Sequence, residues 1–139
     1  MPEDADQPEA EQPDQAAVDL AHVMFDLARE GSTERLAAYL DAGVPVELTE
    51  ANGNTLLMLA AYHGHATTVR ALTDRGADAD RLNDRGQSPL AGAVFKGADE
   101  VVRLLLAAGA DPDRGAPSAR AAAGMFGREG LIPSSGREG

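Results

Sequence analysis

From Gln15 onward the apolar residues fall at helical spacing. Val18, Ala21, Phe25 and Ala28 lie on one face with His22 and Arg29, and Leu20, Met24 and Leu27 form an adjoining stripe. Asp14 is placed to cap this helix and Gly31 to end it. Ser32 caps a second helix carrying Leu36, Tyr39 and Leu40, which stops at Gly43. The stretch 44–53 is too polar and turn-like for a helix, and reads as an extended excursion closed by Asn52-Gly53. Thr55 caps the next helix, over Leu56 to Tyr62, which ends at Gly64. Its partner, over about Ala66 to Arg75, buries Val69 and Leu72.

The segment 76–86 repeats the excursion and turns at Asp84-Arg85-Gly86. Ser88 caps a third inner helix with Pro89 at its first position, where the missing N–H costs nothing. Leu90, Ala93 and Val94 pack, and Gly97 breaks the chain. Val101, Val102, Leu104, Leu105 and Leu106 then make the most apolar helix, which needs cover on both sides. An alanine-rich helix over Ser118 to Arg128 supplies it, with Phe126 in register with Ala93 and Gly130 with Gly97. Leu131 to Gly139 has no periodicity and is expected to fray.

These elements repeat. Gly53, Ala60, Gly64, Val69, Leu72 and Gly76-Ala77-Asp78 return at one constant offset as Gly86, Ala93, Gly97, Val102, Leu105 and Gly109-Ala110-Asp111. Shifted the same way, Gly31, Leu36 and Gly43 fall on Gly64, Val69 and Gly76, so residues 18–50 form a divergent first repeat. A fixed period of this length, about 33 residues, marks a stack of repeats. The terminal units of such a stack are atypical because each has one neighbour.

The motifs resemble those of ankyrin-repeat proteins. The carriers are Thr55-Leu56-Leu57-Met58, Ala60-Ala61, Gly64-His65 and Gly76-Ala77-Asp78 in one repeat. In the next they are Ser88-Pro89-Leu90-Ala91, Ala93-Val94, Gly97, Val101-Val102, Leu104-Leu105-Leu106 and Gly109-Ala110-Asp111. The wording is similar to that of small single-domain bacterial members. The usual Pro and His are Leu56 and Met58 in one repeat, and the His is Ala91 in the other. The resemblance implies an all-α solenoid of paired antiparallel helices with hairpin-like turns. With the polar, acidic composition of 1–14 and the absent periodicity of 131–139, the chain divides into an acidic disordered tail at 1–14, a repeat domain at 15–130 and a flexible tail at 131–139.

Composition narrows the partner. The net charge is −11, and Glu3, Asp4, Asp6, Glu9, Glu11 and Asp14 meet no basic residue in the first 14 positions. Such a chain is repelled by phosphate backbones and anionic lipid, which argues against nucleic acid and membrane surfaces. No apolar run reaches a membrane span, and the N-terminus is the opposite of a signal peptide, so a cytoplasmic protein is expected. Without Cys there is no disulfide framework or thiolate chemistry. Eleven arginines to one lysine, with abundant alanine, fit a bacterium of high GC content.

The resemblance implies binding without catalysis, by a monomer that takes a protein partner on a concave face and no cofactor. The family's contact positions map to Asn52, Asn54, Arg85 and Gln87 at the turn tips. At the helix ends they map to Arg29, Glu30, Tyr62, His63, Phe95 and Lys96. Tyr62 and Phe95, one period apart, belong side by side, either as a binding anchor or as packing between repeats. The acidic tail is a candidate cover for that face, attracted by Arg29, Arg85 and Lys96. No phosphate loop, G-x-S-x-G or H-E-x-x-H occurs, and Ser32, Ser88 and Ser118 read as helix caps, so no catalytic residue is assigned.

Two alternatives stand beside this reading. One is a regulatory or accessory subunit of a bacterial enzyme, of the oxidative-stress kind that some small bacterial ankyrin proteins accompany. The other is metal or ligand binding through His22, His63 and His65. His63-Gly64-His65 straddles a helix end, which is poor ligand geometry, and no metal site is assigned.

Overall fold

The computed structural model describes residues 15–133. The segment 1–14 with its Asp14 cap, and residues 134–139, lie outside them. Seven α-helices occur among the described residues: α1 (Gln15–Glu30), α2 (Thr33–Asp41), α3 (Leu56–Tyr62), α4 (Ala66–Asp74), α5 (Pro89–Lys96), α6 (Asp99–Ala107) and α7 (Ala119–Met125). A 3-10 turn follows at Glu129–Leu131. α1, α3, α5 and α7 pack in one row, and α2, α4 and α6 in a second, with the 3-10 turn beside α6. The chain is an all-α repeat solenoid, as its period predicts.

Three helices of the inner row, α3, α5 and α7, form because they are capped and largely apolar, while α1 is amphipathic and buries Met24, Phe25, Leu27 and Ala28. Thr55, Ser88 and Ser118 have extended backbones, and their hydroxyls accept from the N–H of Met58, Ala91 and Ala121 at 3.0–3.1 Å. Each such cap contributes about 0.5–2 kcal/mol. Ser32 differs. It stands at the N-cap of α2, but its hydroxyl makes no capping bond and points instead to Glu30. The second helices all open this way: Ser32, His65 and Ala98 share ψ near 80° rather than an extended backbone, because the chain reverses there directly after a glycine.

Between the rows lies one core. Leu36, Val69 and Val102 are fully buried, and so are Ala28, Ala61 and Ala93. The alanines let neighbouring inner helices come close, and the branched residues fill the space behind them. Leu104 and Leu106, beside the fully buried Leu105, are half-buried, as are Ala71 and Thr73 one period earlier.

The repeats are also tied by polar contacts that recur with the period. Asp84 N–H donates to the Asn52 carbonyl (3.0 Å), and Ala116 N–H to the Gly86 carbonyl (3.0 Å), linking successive turn tips. Glu47 accepts from Asp78 N–H (2.6 Å), and Asp80, one period after Glu47, accepts from Asp111 N–H (2.7 Å). The tips use a four-residue turn, Gly53 N–H to Glu50 carbonyl at 2.9 Å, with glycine last. Gly53 has φ +85°, and a Cβ there would stand 2.6 Å from Asp84 Oδ1 and 2.9 Å from Asp84 N, so both conformation and inter-repeat contact require glycine. His65 makes a second tie. Its Nε2 lies 2.7 Å from the Arg29 carbonyl, an orphan acceptor at the end of α1, and its ring covers Gly31.

The closing unit departs from the expected register. Ser118 follows Ser88 three positions sooner than Ser88 follows Thr55. The left-handed glycine after α7 is Gly127 (φ +68°), matching Gly97 (φ +74°). Ala123 therefore takes the place of Ala93, Phe126 is exposed in the place of Lys96, and Gly130 lies in the 3-10 turn. The helix stops at Met125, short of Arg128, whose guanidinium pairs with Asp99 at the start of α6. Of the tail expected from Leu131 onward, the described part packs: Ile132 is buried and Leu131 lies against the core.

His65→Ala is expected to lower unfolding free energy by about 1–2 kcal/mol, since it leaves the Arg29 carbonyl without its partner. Urea titration checks this, with His63→Ala, which breaks no hydrogen bond, expected within about 0.5 kcal/mol of the parent.

Candidate partner-binding groove

Between the inner helices and the turn tips runs a groove of ≈ 400 Å³. Capping sets its walls. Counted from Thr55 and Ser88, Tyr62 and Phe95 stand at the same position, at the ends of α3 and α5. Both rings line the groove and are about half exposed, at 48% and 45%. Met58 and Ala91, one helical turn earlier, continue the apolar wall, and Gly92 lies beside the Tyr62 ring.

The tip side is polar. Asn54, Arg85 and Gln87 line it together with Asn83. Asn83 organises the others: its amide donates to Asn54 Oδ1 (2.8 Å) and Gln87 Oε1 (2.7 Å), while its Oδ1 accepts from the N–H of Arg85 (2.9 Å) and Gln87 (3.0 Å). The Arg85 guanidinium has no ion-pair partner among the described residues.

Lys96 and His63 sit at the helix-end rim. The Lys96 ammonium lies 5.0 Å from the Tyr62 ring centre, within cation–π range. His63 meets Tyr62 edge-on at 5.4 Å and stacks on His65 at 6.3 Å. Burial, followed by the nearby His65, Lys96 and Arg29, pushes the His63 imidazole below its ordinary value of 6.5.

The remaining expected positions lie apart. Arg29 and Asn52 border a second depression beside His22 and Phe25. Arg29 is engaged there by Glu50 and by Asp26 (3.4 Å), and Glu30 accepts from Ser32. The site from sequence thus divides, with Asn54, Tyr62, Arg85, Gln87 and Phe95 brought together and Arg29, Glu30 and Asn52 not.

Seven groove residues escaped sequence reasoning: Met58, Leu59, Asn83, Ser88, Ala91, Gly92 and Pro117. Met58 and Ala91 were legible, being one turn before Tyr62 and Phe95 on the same helix face. Met125 and Phe126 were missed through the register. At the true spacing Met125 holds the place after its cap that Tyr62 and Phe95 hold after theirs. Met125 and Phe126 are exposed at 62% and 49%, and Phe126 packs edge-on against Phe95 at 5.3 Å. The apolar surface therefore continues from the groove to the closing unit.

The family model for ankyrin repeats (3 copies) matches residues 24–116. This chain belongs to the ankyrin-repeat family. An ankyrin repeat protein of Pseudomonas aeruginosa is 49% identical over 57 residues, which cover 41% of this chain and 33% of that protein. The match thus spans about a third of the relative's length. Ankyrin repeats generally mediate protein–protein interaction and are typically non-catalytic, and the groove is built from the family's inner helices and turn tips. Among the described residues no three His, Cys, Asp or Glu side chains gather as a metal site needs, and no helix is long and apolar enough to cross a membrane.

In this ankyrin stack the His63 imidazole is expected to titrate below 6.5, and Lys96→Gln to move its midpoint upward. Proton NMR of the ring resonances from about pH 8 to about pH 4.5 measures both. The sign for stability follows. The unfolded chain takes up the proton first, so His63 lowers stability as pH falls from about 6.5 towards the folded midpoint.

Proposed function

We propose that this chain is a non-catalytic, cytoplasmic, monomeric module that binds a partner protein across the groove between its inner helices and turn tips. The observation that carries the reading is the pair of half-exposed rings, Tyr62 and Phe95, on the walls of one groove. Aromatic side chains leave water at low conformational cost and dominate interface energetics, so a ring pair in a groove is an anchor more than a packing defect. Asn54, Arg85 and Gln87 supply the polar rim on one side, and His63 and Lys96 on the other. Arg29, Glu30 and Asn52 belong to the margin, because Arg29 and Glu30 already have partners within the chain.

A regulatory subunit of a larger enzyme is the same reading with the partner named by class, and the groove serves it equally. Binding of metal through His63 and His65 is the weaker reading, since His65 already holds the Arg29 carbonyl.

Tyr62→Ala with Phe95→Ala is expected to weaken partner binding at least about tenfold, while far-ultraviolet circular dichroism stays at the parent signal. Crosslinking capture from native cytosol compares the two proteins. Equal capture by both, with fold retained, removes the groove as the binding site.

A further inference from the structure

Gly92 has no structural reason to be glycine. It lies within α5 with no positive φ, and a Cβ there would meet only Tyr62 Cδ1, at an ordinary 3.9 Å. Alanine would fit, and glycine inside a helix is the less stable choice. The equivalent positions in the neighbouring repeats are filled, by Leu59 and Ala122. What the missing methyl does leave is open space in the groove beside the Tyr62 ring, one helical turn before Phe95.

The charge around that space is one-sided. No carboxylate lines the groove, in a chain of net charge −11. Arg85 is the one charged residue that lines it, Lys96 stands at its rim over the Tyr62 ring, and neither has an ion-pair partner among the described residues. Arg29, Arg75, Arg81, Arg120 and Arg128 each hold a carboxylate, whereas Arg85 and Lys96, like Arg35, Arg70, Arg103 and Arg114, hold none among the described residues. At physiological salt, charges act over roughly 8 Å, so the local sign at the groove outweighs the chain's total.

We propose that the groove is a slot for a large apolar side chain from an acidic segment of the partner. The side chain enters over Gly92 beside the Tyr62 ring, and flanking carboxylates meet Arg85 and Lys96. This deepens the proposed function and rests on it. The chain's own residues 1–14 carry the right charge, but their one large apolar side chain is Met1. A partner segment fits the slot better.

The test is a display library of short random peptides, selected on the full chain and counter-selected on Tyr62→Ala/Phe95→Ala. Enriched peptides should combine a large apolar residue with Asp or Glu. Synthesised, they should bind about tenfold more weakly to Arg85→Glu/Lys96→Glu. Arg70→Glu/Arg103→Glu, on the outer helices, should bind as the parent does. Gly92→Ala should weaken binding about threefold while raising the melting temperature by a few degrees, so the loss cannot be unfolding.

Neutral or basic peptides that depend on Tyr62 and Phe95 would overturn the acidic assignment and leave the binding module standing. A failure to enrich, with cytosolic capture still lost in the aromatic double variant, would overturn the slot alone. If both fail, the module reading falls too. Enrichment only after deletion of residues 1–14 would make that segment the occupant and overturn the partner assignment.

Discussion

No helix pair in this chain can bury its own apolar surface. In α3 every residue but the last, Tyr62, is buried, and its neighbours on both sides supply the cover. A helix of two turns is far too short to persist alone in water. Stability is therefore a property of the interfaces between repeats. The polar ties follow the same logic. The tip-to-tip backbone bonds, the carboxylates of Glu47 and Asp80, and the His65 contact with Arg29 all join one repeat to the next.

In the last described unit the chain shortens its period, and α7 is followed by a 3-10 turn and the buried Ile132. The Arg128–Asp99 pair ties that turn to the start of α6. The shortened register also puts Phe126 in the exposed position that Lys96 takes in the preceding unit, against Phe95. One local change in spacing thus extends the apolar surface beside the groove.

The groove is made from positions that the stack leaves free. Residues facing the neighbouring repeats are committed to packing, while the side chains at the end of each inner helix and the polar side chains beside the turn tips are not. Tyr62, Phe95 and Met125 occupy one such position in three successive units, and in the opening unit it is the ion-paired Arg29. The apolar character of the surface therefore grows towards the closing end. Asn83 keeps the tip side rigid by using its whole side chain on Asn54, Arg85 and Gln87.

The sequence by itself determined the repeat, its helix pairs, the caps at Thr55 and Ser88 and the buried series Leu36, Val69 and Val102. All of these are set by short-range rules, a side-chain hydroxyl near a free N–H or an apolar residue every turn, and the period repeats the signal. It also brought out Tyr62 and Phe95, because their spacing equals the period. Only the tertiary structure decided what lies between repeats. Asn83 bridging Asn54, the exposed pairing of Phe126 with Phe95, the burial of Ile132 and the open space at Gly92 each depend on groups a whole repeat apart or on the shortened last unit. Such contacts depend on how far one repeat is offset from the next, and a side chain's neighbours along the chain carry no record of that distance.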